Sequence, residues 1–241
     1  MKEIQKNNEE RYMPIVDHLT ELKTRFILSL IVFLVTCIVC LFYVNEIALI
    51  LQKPATGIKF LQLAPGEYLF VSIKVSIYLG IVLSSPFSIY QITKFVLPGL
   101  TKNESKYLIP ILTGSISLFF LGIIFSYNLL IPTTLNFLIY YGSDIVEPIW
   151  SFDEYFNFVI LVIVSTGICF QIPIIQILLG LTNIVRWQYM LYSWKYVIFL
   201  STIIGAVITP STDPVTQVFM TITILMLYFI GIIILKIIKT E

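Results

Sequence analysis

The feature that most limits the fold of this chain is a series of long apolar runs separated by short polar segments. The hydrocarbon core of a bilayer is about 30 Å thick, and a helix rising 1.5 Å per residue crosses it with about 20 apolar residues. Six segments fit or approach this length, and we predict that each is one transmembrane helix: 24–44, 68–90, 107–131, 156–181, 196–209 and 215–235.

The composition excludes the other fold classes. Hydrophobic residues make up 58% of the 241 residues and charged residues only 12%, which is about half the charged share of a soluble domain. A transmembrane β-barrel would show short alternating strands instead of long apolar runs. We therefore predict an all-α integral membrane protein in which residues 1–241 form a single six-helix membrane domain.

The fifth predicted span is unusually short. Only residues 196–209 lie between Lys195 and Pro210, and as a helix they reach about 21 Å, which is less than the hydrocarbon core. This helix has an ordinary length only if residues 187–194 extend it. The sixth span is a second candidate for a short helix.

The basic residues are distributed unequally between the two sides of the predicted bundle. With six crossings both termini lie on one side, and that side holds twelve of the fifteen lysines and arginines. The other side holds Lys53 and Lys59, while Lys74 lies within the second span. Because cytoplasmic loops are enriched in Lys and Arg, we predict that both termini face the cytoplasm or its organellar equivalent.

Residues 1–23 form an inner-side tail with an amphipathic segment ahead of the first span. Apolar residues recur on one helical face of this segment, so we expect it to run along the membrane surface and then turn into the span. Within it Glu21 and Arg25 are i,i+4 neighbours in the favourable orientation. The pair is either an incidental surface ion pair or a site where Glu21 is available to a basic ligand.

The loop between the second and third spans carries a second carboxylate. Thr101 and Glu104 match a capping box at the start of the third helix, which alone would account for Glu104. Phe95 and Leu97 lie close by in the sequence. They either rest in the membrane interface or form an apolar shelf beside Glu104, suited to a peptide with a basic head and an apolar tail.

Two of the amides within the predicted spans are candidates for functional contacts. Gln171 precedes Pro173, and a proline in a helix frees a carbonyl one turn earlier. The Gln171 amide either satisfies that kink or offers a polar contact to a partner helix in the membrane. Gln217, near the outer end of the sixth span, is a second candidate for a partner-helix contact.

Nothing in the sequence indicates bond-making chemistry. There is one histidine and no phosphate-binding Gly-rich motif, so we predict no catalytic residue, no cofactor and no metal site. The net charge of +1 gives no indication of nucleic-acid binding. Pro54 lies in the first outer loop and favours a turn there. Asp213-Pro214 is typical of a helix start.

Together these segments resemble a known family. His18-Leu19-Thr20-Glu21-Leu22 with Arg25 is similar to the amino-terminal signature of TatC, the receptor subunit of the twin-arginine protein translocase. Three further segments resemble TatC motifs in the same order along the chain: Phe95-x-x-Pro98-Gly99-Leu100-Thr101-x-x-Glu104, Phe170-Gln171-Ile172-Pro173, and Thr209-Pro210-x-x-Asp213-x-x-x-Gln217. The resemblance extends from about residue 15 to residue 235, and it is closest to the cyanobacterial and plastid branch.

The resemblance implies a concave, glove-like bundle that binds signal peptides carrying consecutive arginines. Folded proteins would then cross the membrane with the proton-motive force, together with TatA-like and TatB-like single-span subunits and other copies of the chain. Residues of this sequence that match the family's motifs receive these roles: Glu21, Glu104, Phe95 and Arg25 in signal-peptide binding, Gln171 and Gln217 in partner-helix contact, and Pro54, Pro98, Pro173, Pro210 and Asp213 in structure.

Two further expectations follow from the resemblance. Gln171 stands where some relatives have glutamate, so its role here would be hydrogen bonding without ionisation. The membrane would be the plastid thylakoid, with both termini in the stroma, or otherwise the bacterial plasma membrane. The alternative to a receptor is a small secondary transporter or channel subunit, which would need buried ionisable residues along a pathway.

Overall fold

The computed structural model describes residues 15–55, 57–96, 108–142, 147–208 and 214–240. These residues form a helical bundle with one small pair of strands. Following the predicted orientation, the end of the bundle that holds Glu21 is named the inner end and the end that holds Glu67 the outer end. The helices are α1 Ile15–Phe42, α2 Val44–Gln52, α3 Glu67–Val96, α4 Leu108–Phe125, α5 Ile131–Gly142, α6 Phe152–Cys169, α7 Ile172–Leu181, α8 Trp187–Tyr192, α9 Trp194–Ile208 and α10 Pro214–Thr240.

Within the described residues, five helical stretches are long and apolar enough to cross a membrane. They are His18–Phe42, Glu67–Phe95, Ile109–Tyr141, Phe152–Leu181 and Pro214–Lys239, and Trp194–Val207 is a shorter apolar helix. This confirms an all-α membrane protein. The exact number of crossings and the side on which the termini lie remain predictions.

Two predicted lengths are wrong. The sixth span is not short, because α10 runs for 27 residues. The third does not end near Ile131: α4 passes through a π-helical turn, Ser126–Leu130, directly into α5, which ends at Gly142. Pro132 follows this turn and lacks a backbone N–H, so the local widening lets the helix continue past a residue that would otherwise break its hydrogen-bond ladder.

The first helix also differs from the expectation. Ile15–Phe42 is a single helix of 28 residues, so the amphipathic segment continues into the span without the expected turn. The fourth span is divided as Pro173 predicts: α6 ends at Cys169 and α7 begins at Ile172, with Pro173 in its first turn. Before the fifth span, Trp187–Tyr192 forms the separate helix α8, which is followed by its C-cap residue Ser193 and does not extend α9.

Close helix contacts are made at glycines. α1 packs along α3, where the Thr36 hydroxyl donates to the Gly80 carbonyl at 3.1 Å. A Cβ on Gly80 would lie only 2.3 Å from Cys37 Sγ, so the two helices meet where one of them has no side chain.

The outer ends of the helices are tied together by the loops. Strands β1 Lys59–Leu61 and β2 Ile149–Ser151 pair in parallel, with Phe60 opposite Trp150. Two tyrosine hydroxyls donate at 2.7 Å to the last carbonyls of α2: Tyr127 to Ile50 and Tyr155 to Leu51. The Ile50 carbonyl also accepts from the backbone N–H of Lys53 at the end of α2, whereas Leu51 is among the last carbonyls that a helix end leaves without intrahelical partners. The two tyrosine bonds connect α2 to the third and fourth spans.

Candidate functional site

The inner part of α1 holds a charged pair. Arg25 directs two N–H groups at one oxygen of Glu21: its Nε donates to Oε1 at 2.9 Å, and its Nη2 donates to the same oxygen. The four-residue spacing places both side chains on one helical face. One carboxylate oxygen is thus already occupied by an arginine of the same helix.

A second helix holds Arg25 from the other side. The third guanidinium nitrogen, Nη1, donates to Gln91 Oε1 of α3 at 3.1 Å, and only 8% of Gln91 is exposed. The sequence reasoning missed Gln91. The signal that could have found it is its spacing, since Gln91 lies four residues before Phe95 and therefore shares its face of α3.

An aromatic contact brings Phe95 close to this charged pair. The His18 and Phe95 rings stack with centroids 4.2 Å apart and planes inclined by 15°. His18 lies one helical turn before Glu21, so α1 and the end of α3 present these four side chains together, with Gln91 beneath Arg25. We call this set of five residues the inner cluster: His18, Glu21, Arg25, Gln91 and Phe95.

Two buried polar atoms in the inner cluster have no hydrogen-bond partner among the residues that the structure describes. They are Glu21 Oε2 and His18 Nδ1, and both atoms are buried. The two atoms lie 4.0 Å apart, which is too long for a hydrogen bond. Buried polar atoms without partners are uncommon and costly, so this pair is suited to receiving donors from a ligand.

Four of the predicted site residues lie outside the described residues: Glu104, Pro98, Pro210 and Asp213. The structure therefore places three of the four predicted signal-peptide residues in the inner cluster. The position of Glu104 remains a prediction. Pro214 begins α10, as the Asp213-Pro214 pattern predicts for a helix start. Pro54 lies in a short 3₁₀ turn, Lys53–Ala55, that follows α2.

The amide of Gln171 is bonded to another helix of the same chain. Its Nε2 donates to the Ser115 carbonyl at 3.0 Å, and the Ser115 hydroxyl donates to its Oε1. The kink before Pro173 is spanned by backbone bonds, from Phe170 to Thr166 at 3.0 Å and from Gln171 to Ile168 at 2.9 Å. Gln171 thus ties α4 to the break between α6 and α7, a use that neither reading of the sequence included.

Gln217 lies where α10 meets the short helix α9. Its Nε2 donates to the Thr202 carbonyl at 3.3 Å, and a Cβ on Gly205 would lie 3.1 Å from the Gln217 carbonyl oxygen. The Gln217 side chain is half-exposed. One of its amide protons is used within the chain.

The sequence reasoning also missed a polar network between α3 and α6. Lys74 Nζ donates to Asp153 Oδ1 at 2.7 Å and to Asn157 Oδ1 at 2.6 Å. Asn157 Nδ2 in turn donates to the other Asp153 oxygen at 3.1 Å. The i,i+4 spacing of Asp153 and Asn157, together with a lysine inside a span, is the signal that could have indicated it.

Comparison with known proteins decides the family. The model of the family "Sec-independent protein translocase protein (TatC)" matches residues 17–222, a range that includes the inner cluster, Gln171 and Gln217. The chain belongs to the TatC family.

Relatives and solved structures agree with this assignment. The "Uncharacterized tatC-like protein ycf43" of Gracilaria tenuistipitata var. liui is 58% identical over 227 residues, which cover 94% of this chain and 95% of that protein. The "Sec-independent protein translocase protein TatC" of Synechocystis is 51% identical over 220 residues, covering 91% and 87%. A crystal structure of the twin-arginine translocase receptor TatC superimposes with a TM-score of 0.82 at 35% identity, covering 91% of this chain and 98% of that one.

Membership of the TatC family also indicates the kind of membrane in which the chain lies. Matching TatC proteins include cyanobacterial and chloroplast members, and this chain has five helices suited to crossing a bilayer among its described residues. It is an integral protein of a thylakoid or plasma membrane, as the sequence predicts.

Proposed function

We propose that this TatC-family chain is the receptor subunit of a twin-arginine translocase and binds signal peptides with consecutive arginines at its inner end. The observation that carries the proposal is the free oxygen of Glu21. Arg25 occupies Oε1, whereas Oε2 has no partner among the described residues. A carboxylate held in place with one unused oxygen is a site for a guanidinium group.

The geometry limits how Glu21 can bind an arginine. A carboxylate with both oxygens free would accept a guanidinium through two parallel bonds, but Oε1 already accepts two bonds from Arg25. An arginine of the peptide therefore meets a single carboxylate oxygen of Glu21. Glu104, predicted from the sequence, would supply the carboxylate for the second arginine of the pair.

Arg25 has a supporting role in this proposal. It is held by Glu21 and Gln91 from two helices, so it fixes the direction of the carboxylate and stays bonded while a peptide binds. The stacked rings of His18 and Phe95 and the exposed Leu19 and Leu22 provide apolar surface beside the carboxylate. An apolar segment that follows the arginines would rest on this surface.

The partners are TatA-like and TatB-like single-span subunits and further copies of the chain, and together they would move folded proteins using the proton-motive force. Gln171 and Gln217 are the proposed contacts for partner helices. Each amide uses only part of its hydrogen-bonding capacity within the chain, which leaves capacity for a neighbour in the bilayer. The alternative of a transporter has less support, because the side chains of the ion pair Lys74 and Asp153 are each about one-third exposed, whereas a transport pathway needs buried ionisable residues.

Photocrosslinking tests the receptor assignment. A photoreactive side chain at Leu22, which is 44% exposed beside Glu21, should capture a peptide with two arginines ahead of an apolar segment. The same side chain at the exposed Leu49 of α2, beyond the outer end of α1, is the control and should not capture it. Capture should fall when the peptide carries Lys-Lys, since lysine offers a point charge in place of a planar fork.

Variants of the carboxylates complete the test. Glu21→Gln should weaken capture, while Glu46→Gln, at an exposed position in the first turn of α2, should leave it unchanged. If capture persists with the Lys-Lys peptide, or after both Glu21→Gln and Glu104→Gln, the chain is not the arginine receptor.

A further inference from the structure

The inner cluster contains a second buried polar atom without a partner, His18 Nδ1, which is a hydrogen-bond acceptor in the neutral tautomer that carries its proton on Nε2. His18 Nδ1 and Glu21 Oε2 are both buried, both without partners among the described residues, and 4.0 Å apart. Arg25 has satisfied the other oxygen of Glu21. The site therefore offers two acceptors that belong to two different residues.

We propose that His18 is a specificity-determining residue: its Nδ1 and Glu21 Oε2 together accept one guanidinium group of the arginine pair. This inference rests on the proposed function. A guanidinium carries five N–H donors in a planar fork, so two of its nitrogens can donate to two separate acceptors. His18 supplies the second acceptor that Arg25 has removed from Glu21.

The stacking on Phe95 makes this assignment specific for Nδ1. With ring planes inclined by only 15° and centroids 4.2 Å apart, the imidazole lies flat on Phe95 and its nitrogens point sideways in the ring plane. Nδ1 faces the Glu21 carboxylate. A ring held in this way keeps its acceptor pointed at the gap without a hydrogen bond of its own.

A peptide can reach both atoms. Although the two acceptor atoms are buried, 39% of the His18 side chain and 22% of the Glu21 side chain are exposed. The two side chains therefore reach the protein surface, and a ligand can approach the gap between them from that side. Filling it with donors removes the cost of two unsatisfied buried acceptors, and this gain is available only to a ligand with suitably placed donors.

Two substitutions at His18 distinguish the effect of the Nδ1 acceptor from the effect of the aromatic ring. His18→Phe keeps the ring that stacks on Phe95 and removes Nδ1. His18→Asn keeps a side-chain acceptor near the position of Nδ1 and removes the ring. Binding of the Arg-Arg and Lys-Lys peptides is measured on the full chain in detergent, after thermal unfolding confirms that each variant is folded.

We expect His18→Phe to weaken binding of the Arg-Arg peptide about tenfold, the effect of one hydrogen bond to a charged group, and to reduce its preference over Lys-Lys. His18→Asn should retain most of the affinity. The proposal is overturned if His18→Phe binds like the unchanged chain, or if His18→Asn loses as much affinity as His18→Phe.

A measurement without substitutions keeps the proposal testable if a variant fails to fold. The chain has a single histidine, so protein labelled with ¹⁵N-histidine gives one pair of ring-nitrogen signals. Adding the Arg-Arg peptide should shift the Nδ1 signal, and the Lys-Lys peptide should shift it less. An Nδ1 signal that does not change on saturation with the Arg-Arg peptide overturns the proposal.

The failure of this inference differs from a failure of the receptor assignment. If the unchanged chain does not prefer Arg-Arg, or Glu21→Gln has no effect, the receptor function itself is wrong. If Glu21→Gln weakens binding while His18→Phe does not, Glu21 acts as proposed and only the role of His18 is wrong.

Discussion

Gln176 of α7 fills the space beside Gly231 of α10, so closely that a Cβ on Gly231 would lie 1.8 Å from the Gln176 Oε1 atom and 2.9 Å from the Cα of Pro173. The same two helices also meet with the roles exchanged, because a Cβ on Gly180 of α7 would lie 2.3 Å from Leu235 Cδ1 of α10. Close approach of helix backbones at glycines is the usual means of packing where lipid supplies no hydrophobic driving force. The kinked fourth span is thereby fixed against the last helix.

A methyl group at Gly231 should therefore destabilise the bundle. We expect Gly231→Ala to lower the free energy of unfolding by about 1–3 kcal/mol, the usual cost of overpacking, since both a side chain and a backbone atom stand in the way. Gly114→Ala is the matched control, because its Cβ would meet Ile174 Cδ1 at an ordinary 3.6 Å. Thermal unfolding in detergent measures both. Equal midpoints for the two variants would show that α7 and α10 are not packed this closely.

The contact between α1 and α3 gives a second prediction, in which a second substitution should restore part of the lost stability. Gly80→Ala should destabilise the chain, because the new Cβ would lie 2.3 Å from Cys37 Sγ. Removing the sulfur with Cys37→Ala should restore part of the stability. The rescue is incomplete because two backbone atoms of Cys37 would still lie 3.3 Å away.

A double-mutant cycle of unfolding free energies measures this coupling. Residues in contact typically couple by about 0.5–3 kcal/mol. Strictly additive effects of Gly80→Ala and Cys37→Ala would contradict the contact.

The approximate place of the long helices could be predicted because bilayer thickness fixes the length of an apolar run. The end of the third span could not be predicted in this way. Residues 131–142 continue the helix past Pro132 through a π-helical turn, and a hydropathy pattern does not show whether a proline ends a helix or is accommodated. The same limit applies to α8, which hydropathy alone could not separate from α9.

The inner cluster shows a similar division. Glu21, Arg25 and Phe95 could be found because charge pairs and motif spacing are visible along the chain. The spacing of Gln91 and Phe95 could have placed both on one face of α3, but the bond from Arg25 to Gln91 spans 66 residues, and only the packing of α1 on α3 shows it. The bond between Gln171 and Ser115 likewise spans 56 residues, so neither local kinks nor motif spacing revealed it.

Lys74 gives a third prediction, since it is the cation of a network that joins two spans. Lys74→Met should destabilise the chain by about 1 kcal/mol, because it leaves Asp153 and Asn157 oxygens without their shared donor, and water reaches the Asp153 side chain, which is about one-third exposed, only in part. Adding Asp153→Asn should recover part of the loss by removing the unpaired charge. Lys59→Met, at an exposed position in β1, is the control and should change little.

The measurement is again thermal unfolding in detergent, over a range of salt concentrations. A partly buried pair is screened less than an exposed one, so the effect of Lys74→Met should persist at high salt. If the stability difference between the Lys74→Met variant and the unchanged chain disappears at high salt, Lys74 and Asp153 are in free contact with solvent.

The pair formed by Gln171 and Ser115 gives the last prediction, which separates an internal role of Gln171 from a role in partner contact. Gln171→Leu should destabilise the isolated chain by about 0.6 kcal/mol and by no more than about 1.7 kcal/mol, the average and the maximum measured for hydrogen bonds between membrane helices. Ser115→Ala should remove only the hydroxyl bond, because the Ser115 carbonyl still accepts from Gln171, so its effect should be smaller. Unfolding of the single chain without partners reports the internal bonds, and co-purification with single-span subunits reports partner contact. A Gln171→Leu chain that unfolds like the unchanged one but loses its partners would assign the amide to the partner helix rather than to α4.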